Sequence, residues 1–155
     1  MAGDVWFYHL TRRTLEDAVP DLLEKCRARD WRVTLRAGSA ERAEALNARL
    51  WTFRDDSFLP HGTAADGFAA RQPIYLTAGP ETPNDPAVLF LVDGAEATAA
   101  EAARFERVVT VFDGRDETAV QAARAFWRAV VAAGASASYW AEERGGWTRK
   151  AQSGG

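Results

Sequence analysis

The chain is poor in the residues from which metal and redox sites are built. Its 155 residues include one cysteine and two histidines. A single cysteine excludes an internal disulfide, and His9 and His61 do not stand with Cys26 at the spacing of a metal site. Cys26 falls on the apolar stripe of a predicted helix, so we expect a buried, unreactive thiol. No metal site is predicted.

An excess of positive charge and a long apolar run are also lacking. The formal net charge is −3, whereas proteins that coat nucleic acid normally present a strongly basic face. We therefore expect contact with DNA to be indirect. No stretch reaches the roughly 20 apolar residues that cross a bilayer, and the first residues do not resemble a secretion signal. The sequence predicts a cytoplasmic protein that makes no membrane contact.

Phosphate-binding and nucleophile motifs are missing as well. Neither G-x-G-x-x-G nor G-x-x-x-x-G-K-[ST] occurs, so no cofactor is predicted. His61 stands near Asp55, Asp56 and Ser57, a set that suits acid–base or nucleophilic chemistry, but no G-x-S-x-G turn accompanies it. We expect no intrinsic catalytic activity. A small α/β enzyme or nucleotide-binding domain of unknown substrate remains the alternative.

What the chain does contain is an alternation of apolar runs and helical patterns. With 47% hydrophobic residues it suits one compact domain over residues 1–140. The predicted strands are Val5–His9, Trp31–Arg36, Pro73–Thr77, Val88–Val92 and Val108–Phe112. Ser136–Trp140 could add an edge strand. This alternation predicts a layered α/β fold, in which Asp93-Gly94 and Asp113-Gly114 form turns after strands.

Three helices are predicted, and residues that typically begin or end a helix mark their boundaries. The first begins either at Thr14, with Asp17 completing a capping box, or at Pro20. Ser39 caps the second, which turns Ala43, Leu46 and Leu50 inward. The last runs from about Asp116 to Ala133, with Ala119, Ala123, Phe126 and Val130 inward and Gly134 beyond its end. Residues 141–155 are Gly-rich and aperiodic, which predicts a partly disordered, flexible tail.

The last helix carries a basic and aromatic flank. Arg124, Trp127 and Arg128 stand at i, i+3 and i+4, so two guanidinium groups and an indole share one side. Arginine forks bind carboxylates, and the indole offers an apolar wall, which together suit an acidic peptide. The alternative is that Trp127 packs at the edge of the core while both arginines are solvated. Spacing alone leaves both interpretations open.

A second concentration of aromatic residues follows the second helix. Between Trp51 and His61, Phe53 and Phe58 flank a charged stretch and Pro60 stops regular structure. No regular period buries these side chains together, and exposed aromatics beside proline and arginine are typical interface anchors. We predict a partner surface here. The other interpretation is that Trp51 and Phe58 fold back over the sheet.

Three separated motifs resemble one family, the chi subunit of bacterial DNA polymerase III. They are Ala45–Trp51 with Asp56–His61, the N-terminal Phe7-Tyr8-His9-Leu10, and the C-terminal helix that leads to Tyr139-Trp140. The resemblance extends from about Val5 to Trp140. It implies a three-layer α/β/α sandwich with a mostly parallel, Rossmann-like sheet.

The resemblance also implies a function and two sets of contacts. Chi proteins are non-catalytic adaptors that link the clamp loader to single-stranded DNA-binding protein during replication. Arg124, Trp127 and Arg128 correspond to the site for the acidic C-terminal tail of that protein. The contact with the psi subunit corresponds to Trp51, Phe58, Leu59 and Pro60. Val120 departs from the pattern, because relatives can carry a basic side chain there.

Overall fold

The computed structural model describes residues 4–52, 60–144 and 146–153 of the chain. The strands are β1 Asp4–Leu10, β2 Val33–Arg36, β3 Ile74–Thr77, β4 Val88–Leu91, β5 Arg107–Asp113, β6 Ser136–Glu143 and β7 Gly146–Ser153. The helices are α1 Leu15–Ala28, α2 Ala40–Thr52, α3 Ala99–Ala102 and α4 Glu117–Ala132, and two short 3-10 turns, Ala64–Asp66 and Ala69–Arg71, precede β3. Within the described residues, no helix is both long and apolar enough to span a bilayer.

All seven strands form one sheet in the order β3-β2-β4-β5-β1-β6-β7. Neighbouring strands are parallel except for β6 and β7. One buried cluster joins α1 and α2 to one face of the sheet, and a second joins α3 and α4 to the other face. Because each face is covered by helices, β2, β3 and β4 are buried at every residue. The predicted α/β class and layered architecture are confirmed.

The C-terminal part of the sheet differs from the prediction. Ser136–Trp140 belongs to β6, which extends to Glu143 and lies between β1 and β7 rather than at an edge. Where the sequence predicts partial disorder after Trp140, the structure places Gly146–Ser153 in β7, antiparallel to β6. Most residues of β7 are exposed to solvent. Its sequence therefore lacks the alternation of apolar and polar residues by which a half-buried strand is recognised.

The first helix begins at Leu15, so the start after Thr14 is the observed one. Thr14 occupies the capping position, but its side chain accepts no capping hydrogen bond. Pro20 therefore lies inside α1, where it cannot donate to the carbonyl of Glu16. The side chain of Arg49 in α2 supplies a donor to that carbonyl at 3.4 Å and also pairs with Asp17 at 3.2 Å. A contact between two helices thus makes the internal proline tolerable.

The other two predicted helices have the expected ends. Ser39 Oγ accepts from the amide of Arg42 at the start of α2, and Ala43, Leu46 and Leu50 are buried. In α4, the carboxylate of Asp116 accepts from two amides of the first turn. These helices place Trp51 at the C-terminal end of α2, and Arg124 with Trp127 in the middle of α4.

Candidate protein-binding surfaces

The α4 surface, defined here as Arg124, Trp127 and Arg128, is exposed at both arginines and half-buried at the indole. The inner edge of Trp127 packs on the sheet, where its ring centroid lies 5.3 Å from that of Phe7 and 6.2 Å from that of Tyr139. Phe7 is fully buried. The indole thus packs at the edge of the core while part of it stays accessible, and both arginines on the same helix are exposed.

Two residues beside the α4 surface were not predicted as part of it. Tyr139 and His9 lie on neighbouring strands, and the tyrosine hydroxyl is 2.6 Å from His9 Nδ1. Burial raises the pKa of Tyr139 and lowers that of His9, so burial favours the neutral form of both groups in this hydrogen-bonded pair. The charge of Arg124 acts on both groups: it partly offsets the rise in the pKa of Tyr139 and contributes to the lowering of the pKa of His9.

The backbone of Gly114 lies close to the imidazole of His9 and to the carbonyl of Leu10. A methyl group on Gly114, just after β5, would stand 1.8 Å from His9 Nε2 and 2.7 Å from the carbonyl oxygen of Leu10. The amide of Gly114 donates to that same carbonyl at 2.8 Å. Only glycine leaves space for the imidazole here. Spacing within α4 could not reveal His9 or Tyr139, although both stand in the motifs that carry the family resemblance.

The Trp51 surface, defined here as Trp51, Pro60 and His61, lies at the end of α2. Trp51 is 54% exposed, and its ring centroid is 4.4 Å from that of His61. His61 is buried and its Nε2 lies 3.2 Å from the carbonyl oxygen of Asn47 in α2. Pro60 is half-buried. Phe58 and Leu59, the other residues predicted for this contact, lie outside the described residues.

The environment of His61 bears on the alternative of a small enzyme. Its ring packs against Trp51, and its Nε2 lies within hydrogen-bond distance of a backbone carbonyl oxygen of α2. These contacts give the imidazole a role in packing the end of α2. Asp55, Asp56 and Ser57 lie outside the described residues. Across the ranges that the structure covers, no group of three or more His, Cys, Asp or Glu side chains could hold a metal ion. Cys26 is buried as predicted, and burial raises the pKa of its thiol to about 11.

The crevice at the carboxyl ends of the strands is the usual ligand site of an open α/β sheet. In this protein, charged side chains at the crevice pair with one another. Arg42 pairs with Glu16 and, at 2.9 Å, with Asp93, while Arg115 pairs with Asp113 at 2.8 Å. Asp93 and Gly94 both adopt positive φ, of 52° and 84°, as in a turn. This crevice therefore holds structural turns and ion pairs, which agrees with the turns predicted from the sequence.

The structure thus defines a layered α/β domain with partly or fully exposed indoles at two surfaces. Comparison with known families places this domain in a family. Residues 2–138 match the family model described as DNA polymerase III chi subunit, HolC. The chain belongs to the DNA polymerase III chi subunit family.

One curated relative is similar over much of the chain. It is described as "Probable DNA polymerase III subunit chi" from Rickettsia prowazekii (strain Madrid E), and it is 30% identical over 105 residues. The alignment covers 68% of this chain and 62% of the relative. The matched region thus spans less than two thirds of the length of that relative.

Proposed function

We propose that this protein is a non-catalytic accessory subunit of the DNA polymerase III holoenzyme, acting in the cytoplasm. It binds the acidic C-terminal tail of single-stranded DNA-binding protein on one side and a clamp-loader component, such as psi, on the other. Its contact with the replication fork through this route is indirect. DNA coated with single-stranded DNA-binding protein presents many tails, so many weak contacts together retain the holoenzyme through avidity.

The observation that carries the proposal is the arrangement of the α4 surface. Arg124 and Arg128 are exposed within one turn of each other, and Trp127 between them is fixed by Phe7 and Tyr139. A peptide that ends in carboxylates beside an apolar side chain requires this combination. Preorganisation of the indole lowers the entropy cost of ordering the site on binding.

The second contact rests on the Trp51 surface. More than half of the indole is exposed even though its ring leans on His61, so it presents an apolar face at a fixed position. Large aromatic side chains of this kind are the common energetic centres of protein interfaces. We assign Trp51 and Pro60 to the clamp-loader contact, together with Phe58 and Leu59 from the sequence.

Fluorescence anisotropy of a labelled acidic peptide, with the sequence of the C-terminal tail of single-stranded DNA-binding protein, tests the proposal. We expect saturable binding to the wild-type protein and a loss of at least about tenfold in Arg124→Glu, because a charge-assisted contact becomes repulsive. Arg71→Glu makes the same change of charge at an exposed residue before β3, and we expect it to bind as the wild type does.

A second titration at higher ionic strength separates the arginine mechanism from apolar binding alone. Binding should weaken between about 50 and about 300 mM salt, because exposed charges are screened. Absence of binding by the folded wild-type protein would contradict the adaptor role. Equal losses in Arg124→Glu and Arg71→Glu, or an affinity independent of salt, would contradict the assignment to α4.

A further inference from the structure

A groove on the sheet face opposite α4 collects four of the six tryptophans of the chain. It runs between α1 and the β6–β7 hairpin and encloses about 640 Å³. We call it the indole groove and define it by Trp6, Tyr8, Trp31, Arg107, Trp140 and Trp147. Each of the four indoles is half-buried, so part of each is available in the groove.

Aromatic rings and guanidinium groups alternate along the groove. The Trp6 and Trp140 rings stack with centroids 5.1 Å apart, and Trp147 meets Tyr8 edge-on at 4.8 Å. Arg107 lies 3.7 Å above the Trp6 ring and 5.1 Å from that of Trp31. Each of the four indoles has a guanidinium group over its ring. A further planar group would therefore stack on the parts of the rings that remain exposed.

Arg107 gives the groove its chemical character. It is half-buried, and burial lowers the pKa of its guanidinium. Within residues 4–52, 60–144 and 146–153 its buried Nε has no hydrogen-bond acceptor, and neither has the buried indole nitrogen of Trp140. Asp4, whose charge acts on Arg107, already accepts from Trp6 at 2.6 Å. A half-buried cation compensated mainly by ring faces favours an anionic ligand.

The lining of the groove is locally basic although the chain is acidic. Four cations line it, and one of them, Arg13, pairs with Asp21 and with Glu142. The remaining cations, Lys25, Arg29 and Arg107, face one further carboxylate of the lining, Glu24. Arg29 is exposed and stands 4.2 Å from the Trp31 ring. Positive charge thus lies beside aromatic rings in the groove, whereas the formal charge of the whole chain is −3.

We propose that the indole groove binds a short stretch of single-stranded DNA directly. Unpaired bases stack on the indoles, and the phosphates lie against Arg29, Lys25 and Arg107. Single-stranded nucleic acid is held in this way by aromatic platforms beside cations, without base-specific hydrogen bonds. Trp140 and Trp147 lie beyond residues 2–138, the segment that matches the family model. The site is separate from the α4 surface and does not depend on its role.

DNA fits these features better than an acidic peptide does. A peptide would use the cations but would need few aromatic faces, whereas successive bases use several at once. The groove is also large enough for a ligand of one or two nucleotides, since ligand pockets commonly enclose about 300–1,000 Å³. Duplex DNA should bind more weakly, because its bases are stacked on one another and cannot reach the indoles.

Anisotropy of a fluorescein-labelled oligothymidine of about ten nucleotides, titrated with the full chain at low salt, tests the proposal. We expect saturable binding that weakens by about tenfold or more in Arg29→Glu and in Trp31→Ala. Arg71→Glu is the control matched in charge, since Arg71 is exposed before β3, at the opposite end of the sheet from β7. Arg29 is exposed, so Arg29→Glu keeps the test decisive if Trp31→Ala fails to fold.

Three outcomes would overturn the proposal: no saturable binding by the wild-type protein, equal losses in Arg29→Glu and Arg71→Glu, or a duplex that binds as tightly as the single strand. The acidic tail peptide should bind Arg29→Glu normally. If the peptide lost affinity in that variant while the oligonucleotide did not, the groove would be a peptide site. Tail binding by the wild-type protein is measured in the same samples, so failure of the DNA site and failure of the adaptor role are told apart.

Discussion

Glu142, at the end of β6, is a buried carboxylate that holds the turn after β1. Its Oε1 accepts from the amides of Thr11, Arg12 and Arg13 at 3.0, 2.9 and 3.1 Å, and its Oε2 accepts from Arg13 Nε at 2.6 Å. Burial alone raises the pKa of this carboxyl, but the hydrogen bonds outweigh burial and lower the pKa to about 2. The charged form is therefore strongly favoured in the folded protein.

We predict that Glu142→Gln reduces the free energy of unfolding at pH 7 by about 3 kcal/mol. The folded-state pKa lies below the ordinary value of 4.5, so the stabilisation is present above that value and is lost as pH falls towards about 2. Urea unfolding followed by circular dichroism across this range should show a smaller loss of stability on acidification in the variant than in the wild type.

The neighbouring Glu143 provides the control for this measurement. It is exposed and pairs with Lys150 at the surface, where such pairs contribute about 0–1 kcal/mol. Glu143→Gln should therefore leave both the stability at pH 7 and its pH dependence nearly unchanged. If the two variants behaved alike, the turn at residues 11–13 would not depend on the charge of Glu142.

At the scale of elements, the junction of β5 and α4 links stability to the α4 surface. Gly114 follows β5 and leaves the space that His9 fills. We predict that Gly114→Ala costs about 1–3 kcal/mol of stability, as overpacking does. It should also weaken tail binding, because displacement of His9 breaks its contact with Tyr139 beside Arg124. Urea unfolding and peptide anisotropy measure the two effects.

Gly146→Ala is the matched control, because the nearest atom of the described residues to a methyl group there is the carbonyl oxygen of Glu143, at 3.9 Å. It should change stability little and leave tail affinity as it is. Normal tail binding by a folded Gly114→Ala variant would show that the position of His9 does not matter to the α4 surface.

The sequence predicts an element well where one physical signal decides it. The unbroken apolar run at Val88–Val92 identifies β4, and Ser39 and Asp116 mark the starts of α2 and α4. The start of α1 could not be decided, because the donor that compensates for Pro20 comes from Arg49 in another helix. β7 escaped prediction because pairing with β6, rather than its own pattern, makes it a strand.

At the scale of the whole molecule, the two predicted protein contacts lie in different layers. Trp51 ends α2, which belongs to one helical layer, and Arg124 lies on α4 in the other. We predict that Trp51→Ala weakens binding of the clamp-loader partner while the affinity for the tail peptide stays the same. Isothermal titration with each partner in turn, and then with both present, measures the two affinities separately.

Thr52→Ala is the control for this experiment, since Thr52 is exposed at the same helix end and hydrogen-bonds only weakly to the preceding turn, at 3.4 and 3.5 Å. It should retain both affinities. Parallel losses for the two partners in a folded Trp51→Ala variant would show that one surface serves both, and the two-sided arrangement would be wrong.

Sites predicted from local spacing and sites made by the fold differ in kind. Arg124, Trp127 and Arg128 are close in sequence, so helical geometry alone brings them together. His9 and Tyr139 are 130 residues apart and meet only because β1 and β6 are neighbours. The indole groove draws on even more distant parts of the chain, so the composition, from which we predicted indirect DNA contact, could not reveal the groove for which we propose a direct one.

The two edges of the sheet have a consequence for behaviour at high concentration. β3 is partly covered by a bridge between Gly62 and Tyr75, and β7 carries the exposed cations Arg149 and Lys150. Bare strand edges pair readily with edges of other molecules, and charged side chains discourage this. At high protein concentration, strand-to-strand aggregation through these two edges is therefore disfavoured.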